Sequence, residues 1–202
     1  MSSTNPVKPG LGYIDTGLTN IFLPTIKYWH SIGVTPNILT TLGLISSALC
    51  VYNLYNKNIN LAVIFLILRC YFDYSDGLLA RKYNQETDFG DWYDHIVDIT
   101  FTLFFVIVLY MKSKHRKLHF SLLVIFGILM IIQFGCVEKD YRDDKDSETS
   151  ISRLRRLCIE PKLMKFFDNG TLYAVMIFII VTTHRSKLFT DNKVNSYTYL
   201  NK

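Results

Sequence analysis

The chain has 202 residues, half of them hydrophobic, and 22 basic against 17 acidic side chains give it a formal charge of +5. That length suits one domain, and an apolar share this high with a positive mean hydropathy argues against a small soluble protein and for segments that meet lipid. The basic residues lie in short loops between apolar runs, a pattern that fits an anionic membrane surface and excludes a nucleic-acid groove binder.

Residues 1–12 are polar, hold two prolines and have no apolar h-region, so they read as a flexible tail without a cleavable signal. In residues 13–33, Ile21, Phe22, Leu23, Ile26, Tyr28 and Trp29 mix with polar side chains, and Pro24 interrupts them. This segment is expected either to lie in the membrane interface as an amphipathic helix or to pack as a surface helix on the protein's own core. The first strong apolar run is Ile38 to Tyr55, with Thr35 placed to N-cap it and Pro36 suited to its first turn. The second is Ile59 to Phe72, continued to Ala80 by a helical pattern. The third runs from about Trp92 to Met111, the fourth from about Leu118 to Val137, and the fifth from Leu172 or Phe166 to Thr183.

The first four runs reach the roughly 20 residues that cross a bilayer. They lack strict alternation and are too long for barrel strands. The expectation is therefore an all-α, polytopic transmembrane helical bundle of about five membrane helices with an N-terminal interfacial helix. Its divisions are a tail and interfacial helix at 1–33, a membrane domain at 34–183 and a polar C-terminal tail at 184–202. Counting Lys and Arg on alternate sides gives twelve with the N-terminus and nine opposite, which favours a cytoplasmic N-terminus. The four cysteines, Cys50, Cys70, Cys136 and Cys158, form no CxxC pair, and the neighbouring His115 and His119 have no cysteine nearby. They are read as buried thiols, with neither a disulfide framework nor a zinc site.

One region breaks the apolar pattern. In YFDYSDGLLARKYNQETDFGDWYDHIVDIT, from Tyr71 to Thr100, Asp73 and Asp76 are three apart at the end of the second run, and Asp94 and Asp98 are four apart at the start of the third. Those spacings put each pair on one helix face, and a short turn between the helices brings the pairs together. An acidic residue in a membrane core costs about 2.5–3.5 kcal/mol on insertion scales, and clustered carboxylates repel one another in a low dielectric. A pair of divalent cations resolves the conflict. Carboxylate oxygens suit Mg²⁺, Mn²⁺ or Ca²⁺, and two such ions can hold the attacking and leaving oxygens of a phosphoryl-type displacement. Gly77 and Ala80 leave room for close approach to the backbone, Arg81 suits a phosphate, and Gly90 is expected in the turn before the third helix. His95 points away from the Asp94–Asp98 face, and Asp91 is either an outer partner of the cluster or a helix N-terminal carboxylate. Asn169-Gly170-Thr171 matches a glycosylation sequon on the expected cytoplasmic side and is expected to be unmodified.

Asp73, Asp76, Gly77, Ala80, Arg81, Gly90, Asp94 and Asp98 together meet the pattern D-x2-D-G-x2-A-R-x8-G-x3-D-x3-D. This resembles the signature of the CDP-alcohol phosphatidyltransferase family, and eight fixed positions arise by chance in about one chain in 10⁸. Thr35-Pro36-Asn37-Ile38-Leu39-Thr40 is similar to the TPN-x-x-T opening of that family's first membrane helix. The resemblance implies that Asp73, Asp76 and Asp94 bind two divalent ions, Mg²⁺ or Mn²⁺, and that Asp98 accepts the proton while lying close to one metal. It further implies that Gly77, Arg81, Thr87 and the segment Thr35, Pro36, Asn37, Ile38 hold the cytidine diphosphate of the donor. The active site would face the cytoplasm of a multi-pass membrane protein, and a homodimer is suggested by the family alone. The family usually has six membrane helices where five are read here.

Two schemes fit the signature. CDP-diacylglycerol gives its phosphatidyl group to a small alcohol and releases CMP, which the short chain favours by analogy; or CDP-choline or CDP-ethanolamine gives its phospho-base to diacylglycerol. A catalytically inactive membrane interaction protein is the alternative of a different class. The basic residues Arg153, Arg155 and Arg156 are read as a solvated juxtamembrane face, or as a site for an acceptor phosphate.

Overall fold

The computed structural model of the chain describes residues 6–7, 10–142 and 156–183. All regular structure among them is helical: α1 (Tyr13–Ser31), α2 (Pro36–Tyr55), α3 (Ile59–Lys82), α4 (Asp88–Lys112), α5 (Arg116–Arg142), α6 (Pro161–Met164) and α7 (Asn169–Thr183). The chain is an all-α polytopic helical membrane bundle. Helices α2, α4 and α5 are long and apolar enough to cross a bilayer. The other two expected spans differ in kind. Helix α3 has the length but carries Arg69, Asp73, Asp76, Arg81 and Lys82, and α7 is short and apolar.

Local chemistry sets the boundaries. Helix α1 ends at Gly33, whose φ is +77°. The Val34 N–H reaches the Trp29 carbonyl at 3.0 Å, and the Gly33 N–H reaches that of His30 at 3.1 Å, the paired bonds that close a helix through a left-handed residue. Thr35 then occupies the N-cap of α2 and Pro36 its first position, although the Thr35 side chain makes no capping bond. Pro24 does not interrupt α1, as its sequence had implied. Packing holds the helix together beyond it: Ile26 is fully buried, and Trp29 Nε1 donates to Tyr71 Oη at 2.7 Å. Helix α4 begins at Asp88, four residues before the expected start. The Thr87 hydroxyl accepts the Gly90 N–H at 3.0 Å, and Asp88 and Asp91 complement the helix N-terminus. Gly90 therefore lies within the first turn of α4 rather than in the turn before it.

The main core joins Cys50 and Leu54 of α2, Leu66 and Cys70 of α3, Phe101 and Phe105 of α4, and Ile179 and Ile180 of α7. A smaller cluster of Ile26, Leu39, Leu78 and Leu79 seats α1 on α2 and α3. The opposite face of α1 exposes Ile21 and Tyr28. Only 28% of the apolar window of α4, and the same share of α5, is buried within the protein, so side chains such as Leu103, Phe104, Ile125 and Ile128 face outward, as lipid contact requires.

Two expectations are corrected. Residues 10–12 do not form a free tail: the Gly10 carbonyl accepts from Gln133 Nε2 at 3.2 Å, and the Pro6 carbonyl accepts from Arg81 Nε at 2.7 Å. Cys136 and Cys158 form a disulfide, with Cα atoms 4.8 Å apart. Their 22-residue separation carries no motif, and the fold supplies the proximity by returning the chain to the end of α5. Cys50 and Cys70 are the expected buried thiols.

A buried polar knot docks α7 onto α1 and α3. Gly12, the N-cap of α1, has no side chain to offer. The Asp168 carboxylate substitutes for it, accepting the Asp15 N–H at 2.9 Å through one oxygen. Its other oxygen accepts the Thr171 N–H at 2.8 Å and so caps α7. Asp15 in turn accepts from the Tyr74 hydroxyl and from the Gly170 N–H at 2.7 Å. A Cβ on Gly12 would lie 2.6 Å from Asp168 Cγ. One carboxylate thus caps two helices, each worth about 0.5–2 kcal/mol. Asp168→Ala should lower stability by about 1–4 kcal/mol, read as a lower thermal midpoint in detergent, and Gly12→Ala should fall in the same direction. Burial pushes the Asp15 carboxyl up from 3.8 to about 6. The fold therefore favours its protonated form, a contribution that is full below pH 3.8 and lost as the pH rises through about 6. Asp15→Asn should leave the midpoint near that of wild type below about pH 4 and raise it relative to wild type above about pH 6; midpoints of both proteins across that range check the sign.

Candidate functional site

Helix α2 packs against both α3 and α4 and carries them so that Asp73 of α3 faces Asp94 and Asp98 of α4. Carboxylate oxygens of Asp73, Asp94 and Asp98, one from each, lie within 4.8 Å of one another. Oxygen ligands on opposite sides of a hard divalent cation stand about 4–5 Å apart, so the spacing and the all-oxygen donor set fit such an ion. Asp76 is outside this trio and is held separately: the Thr40 hydroxyl donates to its Oδ2 at 2.6 Å. It still lines the same small cavity as Asp73 and Asp94, with Thr40, Gly43 and Val97. Thr40 is the last residue of the TPN-x-x-T segment, so that motif reaches the acidic cluster through its hydroxyl.

Asp73 is buttressed from α7. Asn169 Nδ2 donates to its Oδ2 at 3.1 Å, and the Tyr173 hydroxyl donates to the same oxygen at 3.2 Å. These partners lie 96 and 100 residues away in sequence and belong to no motif, so they were not readable from the chain. Asn169 was legible only as part of a sequon, and its amide is engaged inside the site. Arg69 was also missed. Its guanidinium is 3% exposed, donates to Asp98 Oδ1 at 2.5 Å and stands 3.7 Å from Asp73 Oδ1. The signal was present: a single charged residue inside an apolar run, four before Asp73.

The remaining motif residues are arranged around this centre. Gly77 leaves space that the Arg81 guanidinium fills, with Nη1 3.0 Å from where a Cβ would sit. A Cβ on Gly90 would lie 3.0 Å from both Asn37 Oδ1 and the Thr87 hydroxyl, so Asn37, Thr87 and Gly90 meet where the N-termini of α2 and α4 adjoin. Thr35, Pro36 and Ile38 belong to that same α2 start, and Ala80 is half-buried on α3. His95 stays out of the cluster, its Nδ1 2.6 Å from the Asp91 carbonyl. Asp91 is exposed in the first turn of α4, as a helix N-terminal carboxylate. Arg156 is exposed; Arg153 and Arg155 lie outside the described residues.

A second cleft adjoins Asp98. Arg69, Asp98, Asn169 and Tyr173 form its polar part, and Phe101, Leu172 and Met176 contribute apolar wall. The site thus has two approaches to one carboxylate cluster.

The comparisons with known proteins agree with this arrangement. Over 72 residues the chain is 38% identical to an archaetidylinositol phosphate synthase of Pyrococcus horikoshii, covering 36% of this chain and 38% of that protein. Over 99 residues it is 34% identical to a CDP-diacylglycerol–glycerol-3-phosphate 3-phosphatidyltransferase of Aquifex aeolicus, covering 48% and 56%. Over 75 residues it is 37% identical to an uncharacterized protein of the same organism, covering 37% and 38%. The chain therefore spans between about two-fifths and somewhat over half of the length of these relatives. The profile of the CDP-alcohol phosphatidyltransferase family matches residues 33–184, well over half of the chain, and the chain belongs to that family.

Proposed function

We propose that the protein transfers the phosphatidyl group of CDP-diacylglycerol to a small alcohol and releases CMP. The observation that carries this reading is the convergence of the Asp73, Asp94 and Asp98 carboxylates from two helices within a bundle of lipid-facing helices. The names of the relatives, one acting on CDP-diacylglycerol and one an archaetidylinositol phosphate synthase, support a lipid head-group transfer over a soluble nucleotide reaction.

Asp73, Asp76 and Asp94 are the residues that would hold the divalent ions, with Asp98 beside them. Mg²⁺ or Mn²⁺ bound there supplies neutralisation of the donor's diphosphate and polarisation of the reacting phosphorus. Thr40, Asn169 and Tyr173 fix the ligand carboxylates through the bonds described above, which is how outer partners set the geometry of a hard-ion site. Arg81 binds diphosphate through its planar fork, and Gly77 leaves space beside it. Thr87, Gly90 and the Thr35–Ile38 segment form the rest of the donor's seat, where two helix N-termini present backbone N–H groups to an anion. Asp98, which faces the second cleft, takes the proton of the acceptor hydroxyl. Attack of that oxygen on phosphorus breaks the bond to CMP, whose charge Arg81 stabilises as it leaves. The cytoplasmic face is proposed for the site, in line with the distribution of Lys and Arg.

The decisive assay is purified protein in detergent with labelled CDP-diacylglycerol, Mg²⁺ or Mn²⁺ and a panel of alcohols, with lipid products identified by mass. A new phospholipid and stoichiometric CMP are expected, both abolished by chelator and restored by either cation; transfer only from CDP-choline or CDP-ethanolamine to diacylglycerol would replace this donor assignment. Asp98→Asn should reduce turnover by about 10³-fold or more while CDP-diacylglycerol still binds, and undiminished turnover would refute its role. Asn169→Ala should weaken divalent-ion affinity by about tenfold, measured by Mn²⁺ titration.

A further inference from the structure

Three carboxylates held close together on apolar helices need positive charge nearby, and the fold supplies one of its own. Arg69 rises from the middle of α3, and its guanidinium centre sits 4.4 Å from the ring centroid of Phe101 on α4 and 5.5 Å from that of Tyr173 on α7. Those two rings fix it in place. From there Nη2 holds Asp98 Oδ1 at 2.5 Å, and Nη1 stands 3.7 Å from Asp73 Oδ1. Its Nε is buried without a hydrogen-bond partner, so the guanidinium is held by the charges and rings around it rather than by a complete set of bonds.

Asp98 belongs to two constellations at once. It is one of three carboxylates within 4.8 Å of one another, and it is also the anion that Arg69 grips. A divalent ion entering the trio must take that oxygen from the guanidinium or bind beside a fixed positive charge, and either lowers its affinity. Before an ion arrives, the same contact keeps Asp98 and Asp73 from being driven apart.

We propose that Arg69 is a positioning residue, the resident counter-charge of the acidic cluster, which holds Asp98 and Asp73 in place in the ion-free protein and yields Asp98 in exchange for a divalent cation. This rests on the metal-dependent reading above and adds to it an internal competitor that sets how tightly the cation is held.

The test is Mn²⁺ titration of the chelator-stripped full chain in detergent without donor, followed by the electron paramagnetic resonance of free Mn²⁺, together with thermal midpoints of the ion-free proteins. In Arg69→Met the ion-free midpoint should fall and Mn²⁺ should bind about tenfold more tightly. Arg69→Lys, which keeps the charge, should remain within about twofold of wild type in affinity. The gain should vanish in the Asp98→Asn background, where there is no carboxylate to release. Where Arg69→Met does not yield folded protein, Arg69→Gln serves as the uncharged variant with the same expectation. Equal or weaker binding in the uncharged variant, or a gain that persists with Asp98→Asn, would overturn the exchange while leaving the metal-dependent reading standing. No binding by wild type would overturn that reading and this inference together.

Discussion

The structure depends on reconciling carboxylates with an apolar bundle. Asp73, Asp76, Asp94 and Asp98 occupy helices whose other residues are chosen for lipid and for one another, and mutual repulsion is the force that would pull α3 and α4 apart. The protein answers with several small devices. Thr40 donates to Asp76, Asn169 and Tyr173 donate to Asp73, and Arg69 neutralises Asp98. Each partner comes from α2, α3 or α7, so the cluster is the point at which these helices are obliged to agree on their relative positions. Any shift of α7 along α3 would free Asp73 before it disturbed the hydrophobic core.

That obligation explains why so short a helix as α7 is held by a buried polar knot. Its apolar face, with Met176, Ile179 and Ile180, could slide against neighbouring side chains at little expense, since apolar packing is not directional. Hydrogen bonds are directional. Asp168 fixes the first turn of α7 to the first turn of α1, and Asp15 fixes Gly170 to Tyr74, the residue after Asp73. A Cβ on Gly170 would come within 2.5 Å of Ile14 Cγ2, so the absence of a side chain there lets the two helix starts approach. The knot is thus the outer support of the acidic cluster, one step removed from its carboxylates.

The sequence carried the parts of this picture that are local or motif-bound. Apolar run length located α2, α4 and α5, and spacing put Asp73 with Asp76 and Asp94 with Asp98. Pro36 as a first helical residue follows from backbone chemistry that any helix obeys. What stayed hidden is non-local. Asn169 and Tyr173 reach Asp73 across about half the chain, and Cys136 finds Cys158 across a separation of 22 residues that no periodicity encodes. Pro24 misled because a proline's local effect is readable and the packing that overrides it is not. Arg69 is a different case: a charge inside an apolar run is itself a signal, outweighed on first reading by the stronger aspartate pattern downstream.

The N-terminal segment bears on access to the site. Arg81 lies against Gly77, the neighbour of Asp76, and its Nε donates to the Pro6 carbonyl. A carbonyl oxygen offers this donor one neutral acceptor, whereas a diphosphate offers several charged ones, and charge-assisted bonds are about twice as strong as neutral ones. The Pro6 contact is therefore one that an anionic ligand displaces readily. Arg69 stands at the other end of the cluster: each of these two arginines of α3 is engaged by the protein itself, Arg81 by contacts that include the Pro6 carbonyl and Arg69 by the Asp98 carboxylate. An anionic partner ties Arg69 to the charge of the cluster, because a charge-assisted bond of this kind is the stronger sort.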